Sequence, residues 1–274
     1  IRRHDVTFFE WAASLLIRAS HLPKQGHIVA RLHSFELATA VEQVDWSQVD
    51  HLIVLNQAIL DKLRDLVTQP LPPVTIVANG VDLARFRPQP RPFQHRLGMV
   101  CSLLPIKRIY EVILCIHQLR QDGRPFTLHV AGAPGEGDAR RYAWALQRLV
   151  EKLHLQDAVT FYDHIQDVAG WLPTIDVFIS NSYWEGQQVA LMEAMASGCY
   201  CLSHCWDGIE EMLPECNVFV TDNELRTMLL TYAEFSESER AQAQARLRAI
   251  AEDRFDERRM VRQISAIIEA SSAG

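Results

Sequence analysis

The amino-acid sequence predicts an α/β fold made of two domains, each an open parallel sheet flanked by helices. Three observations point there. Short apolar runs alternate with longer amphipathic stretches, the pattern of successive βα units. The runs fall into two series on either side of a proline-rich segment. The 274 residues, 48% hydrophobic and 22% charged, have the balance of a globular chain with enough apolar material for sizeable cores.

In chain order, the first series has strands at 6–9, 27–32, 51–55 and 74–77. Arg85-Phe86-Arg87-Pro88-Gln89-Pro90-Arg91-Pro92 follows. Its spaced prolines favour extended backbone and interrupt both helix and central strand, so it reads as an interdomain linker. The second series has strands at 98–103, 127–131, 159–162, 177–180, 200–203 and 218–220. Helical periodicity is clearest at 108–120, 139–153, 189–196 and 236–255. The expected division is a first domain over 1–86, a linker over 87–97, and a second domain over 98–274 that includes a helical tail.

The net charge of -7 argues against general affinity for nucleic acid or anionic lipid, since either needs a basic face. No stretch approaches the roughly 20 uninterrupted apolar residues of a membrane span. Ile1-Arg2-Arg3-His4-Asp5 lacks the apolar core of a signal peptide, so a cytoplasmic protein is expected. The absence of an initiating Met leads to the expectation that residues before Ile1 have been lost. Cys199, Cys201 and Cys205 lie within seven residues, yet no Cys-x-x-Cys pair or His ladder completes a zinc spacing, and buried reduced thiols are expected instead of metal.

In open parallel sheets ligands bind beyond the carboxyl ends of the strands. The strongest signal in such a loop is the stretch from Ser182 to Gly198, which follows one strand and opens a helix. A helix starting near Gln187 would turn its free N–H groups and positive dipole end to the ligand, a seat for a diphosphate, and Gly186 would permit close approach there. Glu185 and Glu193 would lie on similar faces, about 12 Å apart at the helical rise. That spacing suits a ligand with a hydroxyl-rich group at each end and phosphates between them, as in a nucleotide sugar. Two ordinary surface glutamates on a solvated helix are the plainer alternative.

At these residues the sequence resembles the retaining family-4 glycosyltransferases of the GT-B fold, whose donor domains carry two glutamates at this spacing followed by Ala-Met-Ala-x-Gly. The match runs through Glu185, Gly186, Glu193, Ala194, Met195, Ala196 and Gly198. The resemblance implies two Rossmann-like domains, with a complete donor-binding second domain. It places Glu185 by the donor hexose, Glu193 on the ribose hydroxyls, and the backbone from Gly186 through Gln187 and Gln188 on phosphate. The family's usual Gly-Phe-Gly is here Gly186-Gln187-Gln188, a different grip on the sugar. Asn79-Gly80-Val81-Asp82 followed by Phe86 resembles the motif that leads into the family's donor domain. Lys107 falls at the diphosphate-binding lysine, while Ser102 occupies the position of the usual arginine partner, a loss for which Arg108 offers a replacement cation. Solvated charges at the head of a helix are the competing reading of Lys107 and Arg108. The resemblance implies that the glycine-bearing loop with Gly132 approaches the nucleotide and that the loop with Ile165, beside His164, meets the base; a plain loop and a surface His164 are the alternatives.

In the first domain the resemblance directs His33 toward donor sugar and acceptor, where an imidazole can bond a hydroxyl or move a proton; a strand-end His capped by Ser34 is the alternative. Glu10 either faces the acceptor or caps the next helix. The first domain is expected to be incomplete, because the family's acceptor domain begins with a glycine-rich loop that nothing before Ile1 supplies. The implied activity is transfer of a hexose from a UDP- or GDP-linked donor to a saccharide or lipid-linked acceptor, with retention, without cofactor or metal, in polysaccharide or glycoconjugate synthesis. A lipid-linked acceptor would bring peripheral contact with the inner membrane face. A non-catalytic nucleotide-sugar-binding subunit and a nucleotide-sugar epimerase are the other two readings.

Overall fold

A computed structural model describes residues 5–24 and 26–272. The chain forms two compact units. The first comprises the described residues up to Gly80, Glu185–Gln187, and the chain from Phe255 onward; the second comprises Val81–Trp184 and Gln188–Arg254.

In the first unit β1 (Val6–Phe9), α1 (Ser14–Ser20), β2 (His27–Leu32), α2 (Ser34–Leu37), β3 (His51–Val54), α3 (Gln57–Leu66) and β4 (Val74–Ile76) succeed one another. The four strands are parallel in the order β1-β2-β3-β4. Side chains alternate across the sheet, so Ile28, Ala30 and Leu32 join the core formed with Leu16 and Leu63, while Val29 and Ile53 face the other way. Asn56 caps α3, its Oδ1 accepting from the Ile59 amide at 2.9 Å.

The second unit contains β5 (Arg96–Val100), α4 (Ile109–Gln121), β6 (Thr127–Ala131), α5 (Asp138–Lys152), β7 (Val159–Tyr162), α6 (Val168–Trp171), β8 (Val177–Ser180), α7 (Val189–Ala196), β9 (Tyr200–His204), β10 (Val218–Phe219), α8 (Asp222–Ala233) and α9 (Glu237–Arg254). Its sheet is parallel throughout, in the order β10-β9-β8-β5-β6-β7. The chain runs outward from β5 to β7, then returns to β8 on the other side of β5. That reversal makes a topological switch point between β5 and β8, the place where open α/β sheets bind ligands. Both units are Rossmann-like α/β folds.

Two boundaries differ from the sequence expectation. The final helix, α10 (Glu257–Ser272), packs on the first sheet against β1 and β2 instead of extending the second domain. Its Met260, Ile264 and Ile267 form one stripe at helical spacing that covers the face carrying Val29, Ile53 and Val77. The proline-rich segment is part of the second unit, not a free connector. Arg248 Nη1 donates to Phe86 O at 2.6 Å and also to Ala196 O, and buried Asp176 accepts from the Gln94 and Arg96 amides, both at 2.9 Å. Cys199 and Cys201 are buried, and the Cys199 thiol donates to the carbonyls of Leu172 and Ile175.

Candidate functional site

At the switch point of the second unit, the chain leaves β5 through exposed Ser102, makes a single turn over Pro105–Lys107, and enters α4. Lys107 is half-buried. Arg108 adopts a left-handed conformation, φ 49° and ψ 41°, that turns its side chain inward. Its guanidinium is buried, with Nη2 2.8 Å from Asp222 Oδ1, Nη1 donating to Asn181 Oδ1 at 3.4 Å, and the Tyr183 ring 4.9 Å away. Asn181 Nδ2 donates back to the Arg108 carbonyl at 2.9 Å. Arg108 therefore braces the loops after β5 and β8 to the start of α8; it does not stand in the open where the arginine missing at Ser102 would act. Its buried Nε–H has no partner among the described residues.

Helix α7 is buried along Leu191, Met192, Ala194, Met195 and Ala196, which explains its nearly continuous apolar sequence. Glu193 is its one charged residue. The carboxyl is half-buried and has no hydrogen-bond partner among the described residues, and burial pushes it up to about 7, against the opposing pull of Arg85. The helix ends on Gly198, φ 76°, whose amide bonds Met195 O. Its N-terminus is exposed at Val189, with Gln188 at the N-cap position. The helix thus begins two residues later than the sequence suggests, and Glu185 lies in the preceding loop. The helical ruler between Glu185 and Glu193 does not apply.

Gly132 follows β6 with φ 150°, and a Cβ there would lie 1.9 Å from Cys101 O. Its amide donates to Tyr162 O at 3.3 Å. Close approach of three strand ends is sufficient reason for glycine at this position. Ile165 lies half-buried in the loop between β7 and α6, beside exposed His164. His204, at the end of β9, was not legible as a site residue. Its Nδ1 is 3.2 Å from Ser182 O, and burial, assisted by Arg108, holds the ring below the usual imidazole range. Asn181, Tyr183 and Asp222, which surround Arg108, were likewise not singled out; Asn181 and Tyr183 follow β8, and Asp222 opens α8.

In the first unit, His33 and Glu10 meet at the ends of β2 and β1. His33 Nε2 lies 3.3 Å from Glu10 Oε1, and Arg31 Nη1 donates to the same oxygen at 2.8 Å. Burial would raise the Glu10 pKa, but hydrogen bonding to His33 and the Arg31 charge outweigh it and hold the carboxyl below its ordinary value. Glu10 does not cap α1, whose N-cap is Ala13. Ser34 opens α2 without capping His33; buried Glu36 instead accepts from the His33 and Ala12 amides at 2.9 and 3.0 Å.

Arg31 also reaches Asn79 Oδ1 at 2.8 Å, and the Asn79 amide donates to Gln187 Oε1 at 2.6 Å. Asn56 Nδ2 donates to Gly186 O at 2.7 Å. These sideways bonds hold Gly186 and Gln187 out of the helix. A Cβ on Gly186 would come within 2.7 Å of Ser34, and one on Gly80 within 2.4 Å of the Glu257 backbone. The chain Glu10–Arg31–Asn79–Gln187 therefore joins His33 to the loop carrying Glu185.

Residues 94–233, just over half of the chain, match the family model described as glycosyl transferases group 1. The chain is 28% identical over 215 residues to the Escherichia coli protein WcaL, named as a colanic acid biosynthesis glycosyltransferase, covering 72% of this chain and 51% of that protein. The chain thus spans about half the length of that curated relative. Among solved structures, HepE from Anabaena in complex with UDP and glucose superposes with a TM-score of 0.78 at 20% identity, covering 89% of this chain and 72% of that one. Sucrose-phosphate synthase from Thermosynechococcus elongatus superposes with a TM-score of 0.80 at 17% identity, covering 98% and 74%.

Proposed function

The chain belongs to the glycosyl transferases group 1 family, and from that premise we propose that it transfers a hexose from a nucleotide diphosphate sugar to an acceptor hydroxyl with retention. Glu193 carries this reading. A half-buried carboxyl without a hydrogen-bond partner among the described residues, on an otherwise apolar helix at a switch point, opposes folding. Paired hydroxyls, such as those of a ribose, would satisfy it. The exposed start of α7 supplies backbone N–H groups for a diphosphate, and Lys107 a cation at the neighbouring strand end.

Chemistry then consists chiefly of stabilising the departing nucleotide diphosphate while the anomeric carbon passes through an oxocarbenium-like state. Lys107 and the α7 amides face the developing negative charge. The donor phosphate assists the incoming hydroxyl. The UDP bound in the HepE structure makes UDP the first nucleotide to test, and the WcaL likeness favours polysaccharide synthesis as the setting.

One observation favours a second reading, a nucleotide-sugar-binding subunit without turnover. Ser102 replaces a phosphate-binding cation, and Arg108 is turned to Asp222. Calorimetric titration with UDP, GDP and ADP, repeated on Glu193→Ala and Lys107→Ala, tests the donor site. Binding of one nucleotide that both substitutions weaken supports it, and no binding of any sinks it. Release of nucleotide from UDP-sugars then separates the transferase from the binding subunit.

A further inference from the structure

Beside His33 the first unit carries two aromatic rings with no evident role in its core. Trp11, directly after β1, is 49% exposed, and Phe35 in α2 is 51% exposed. Trp11 stacks on His33 with centroids 4.1 Å apart and planes inclined by 28°, and Phe35 stands 5.4 Å from Trp11 at 47°. With one indole face on the imidazole and half its surface in water, Trp11 presents its opposite face outward. Glu10 adjoins this shelf. Both of its internal bonds, from Arg31 and His33, fall on Oε1; Oε2 has no partner among the described residues, and the side chain is 42% exposed. Arg31, only 4% exposed, fixes the carboxylate in place.

We infer that the Trp11–Phe35 shelf and Glu10 form an acceptor subsite that takes a pyranose ring, its C–H face on the indole and its equatorial hydroxyls on Glu10 Oε2. The inference rests on the transferase reading and narrows its acceptor to a saccharide. A pyranose matches both halves of the surface, being apolar on a face and hydroxyl-rich at its rim. A lipid surface matches only the rings, because it would bring hydrocarbon against a carboxylate held ionised. The location agrees: His33 touches Trp11, and its neighbour Ser34 packs on Gly186, next to Glu185. A sugar on the shelf lies beside His33 and the loop carrying Glu185.

Indole N–H resonances of the ¹⁵N-labelled protein provide the test, with Trp11 identified among six tryptophans by the peak lost in Trp11→Phe. The probes are methyl glycosides of glucose, galactose, mannose, N-acetylglucosamine and glucuronic acid. Saturable movement of the Trp11 resonance by at least one of them is expected. The dissociation constant, read for wild type and variants alike from the backbone amide resonances of residues 33–36, should rise about tenfold in Trp11→Ala and much less in Trp11→Phe. The positions of the other indole peaks in each variant report that it is folded. No movement with any glycoside, while UDP still binds, overturns the subsite and leaves the donor reading intact. Failure of both UDP and glycosides overturns the two together. Glycoside binding without UDP binding removes the acceptor role. Trp11-dependent sedimentation with phosphatidylethanolamine–phosphatidylglycerol vesicles, and no glycoside response, shows the shelf to be a membrane contact and overturns the inference.

Discussion

Replacing Glu193 by Gln should uncouple nucleotide binding from pH. Burial places the carboxyl at about 7 in the free protein, from an ordinary 4.5. Hydrogen bonds from ribose hydroxyls favour the ionised form and return it toward the ordinary range, so binding releases a proton. With those values the release is about three quarters of a proton at pH 6.5 and about a tenth at pH 8. Affinity for UDP should accordingly fall about thirtyfold between pH 8 and 5.5. Calorimetry of UDP binding in buffers of different ionisation enthalpy measures the released fraction. The nucleotide's terminal phosphate titrates in the same range, so the difference between wild type and Glu193→Gln is the relevant quantity. Stability carries the same signature with the sign of a raised acid. Ionisation of the carboxyl opposes folding, so its effect is absent below pH 4.5 and stability falls as pH rises to about 7. Discounted for partial exposure, the loss is about 1–2 kcal/mol, and Glu193→Gln should be free of it. Equal proton release from both proteins would refute this reasoning.

Lys107→Ala should raise the dissociation constant for UDP about threefold to tenfold, with a shallower salt dependence than wild type, as read by titration at two ionic strengths. Gly132→Ala combines φ 150° with a Cβ 1.9 Å from a carbonyl oxygen, and should lower the stability of the second unit by about 3 kcal/mol or more in thermal unfolding. Gly186→Ala meets only the side chains of Ser34 and Ile59, and should cost clearly less. The depressed Glu10 carboxyl stabilises the fold above its ordinary pKa of 4.5 and loses that contribution as pH falls further. Glu10→Gln should therefore be destabilising at pH 7, by less than about 1 kcal/mol because the group is exposed, and neutral near pH 3, as read from urea midpoints.

The strands and the α7 segment were legible because their signals are local. Apolar runs of strand length and a Glu within an otherwise apolar helix need no knowledge of distant residues. Three features were not, for one shared reason: long-range contacts decide them. The stripe of Met260, Ile264 and Ile267 says that α10 is amphipathic, but not which sheet it covers. The inward turn of Arg108 depends on Asp222, more than a hundred residues later. Helix α7 starts at Val189 because Asn56 and Asn79 hold Gly186 and Gln187 in the first unit. The helix α8 could have been read from its capping box, in which Thr221 Oγ1 accepts from the Glu224 amide and Glu224 Oε2 from the Thr221 amide.

The most direct test of the donor site is a crystal structure of the chain soaked with UDP-glucose or, failing that, UDP. The expected result is a ribose with both hydroxyls within hydrogen-bonding distance of the Glu193 carboxylate, and a diphosphate at the N-terminus of α7 beside Lys107. A nucleotide ordered elsewhere on the second unit, with Glu193 untouched, would contradict the assignment.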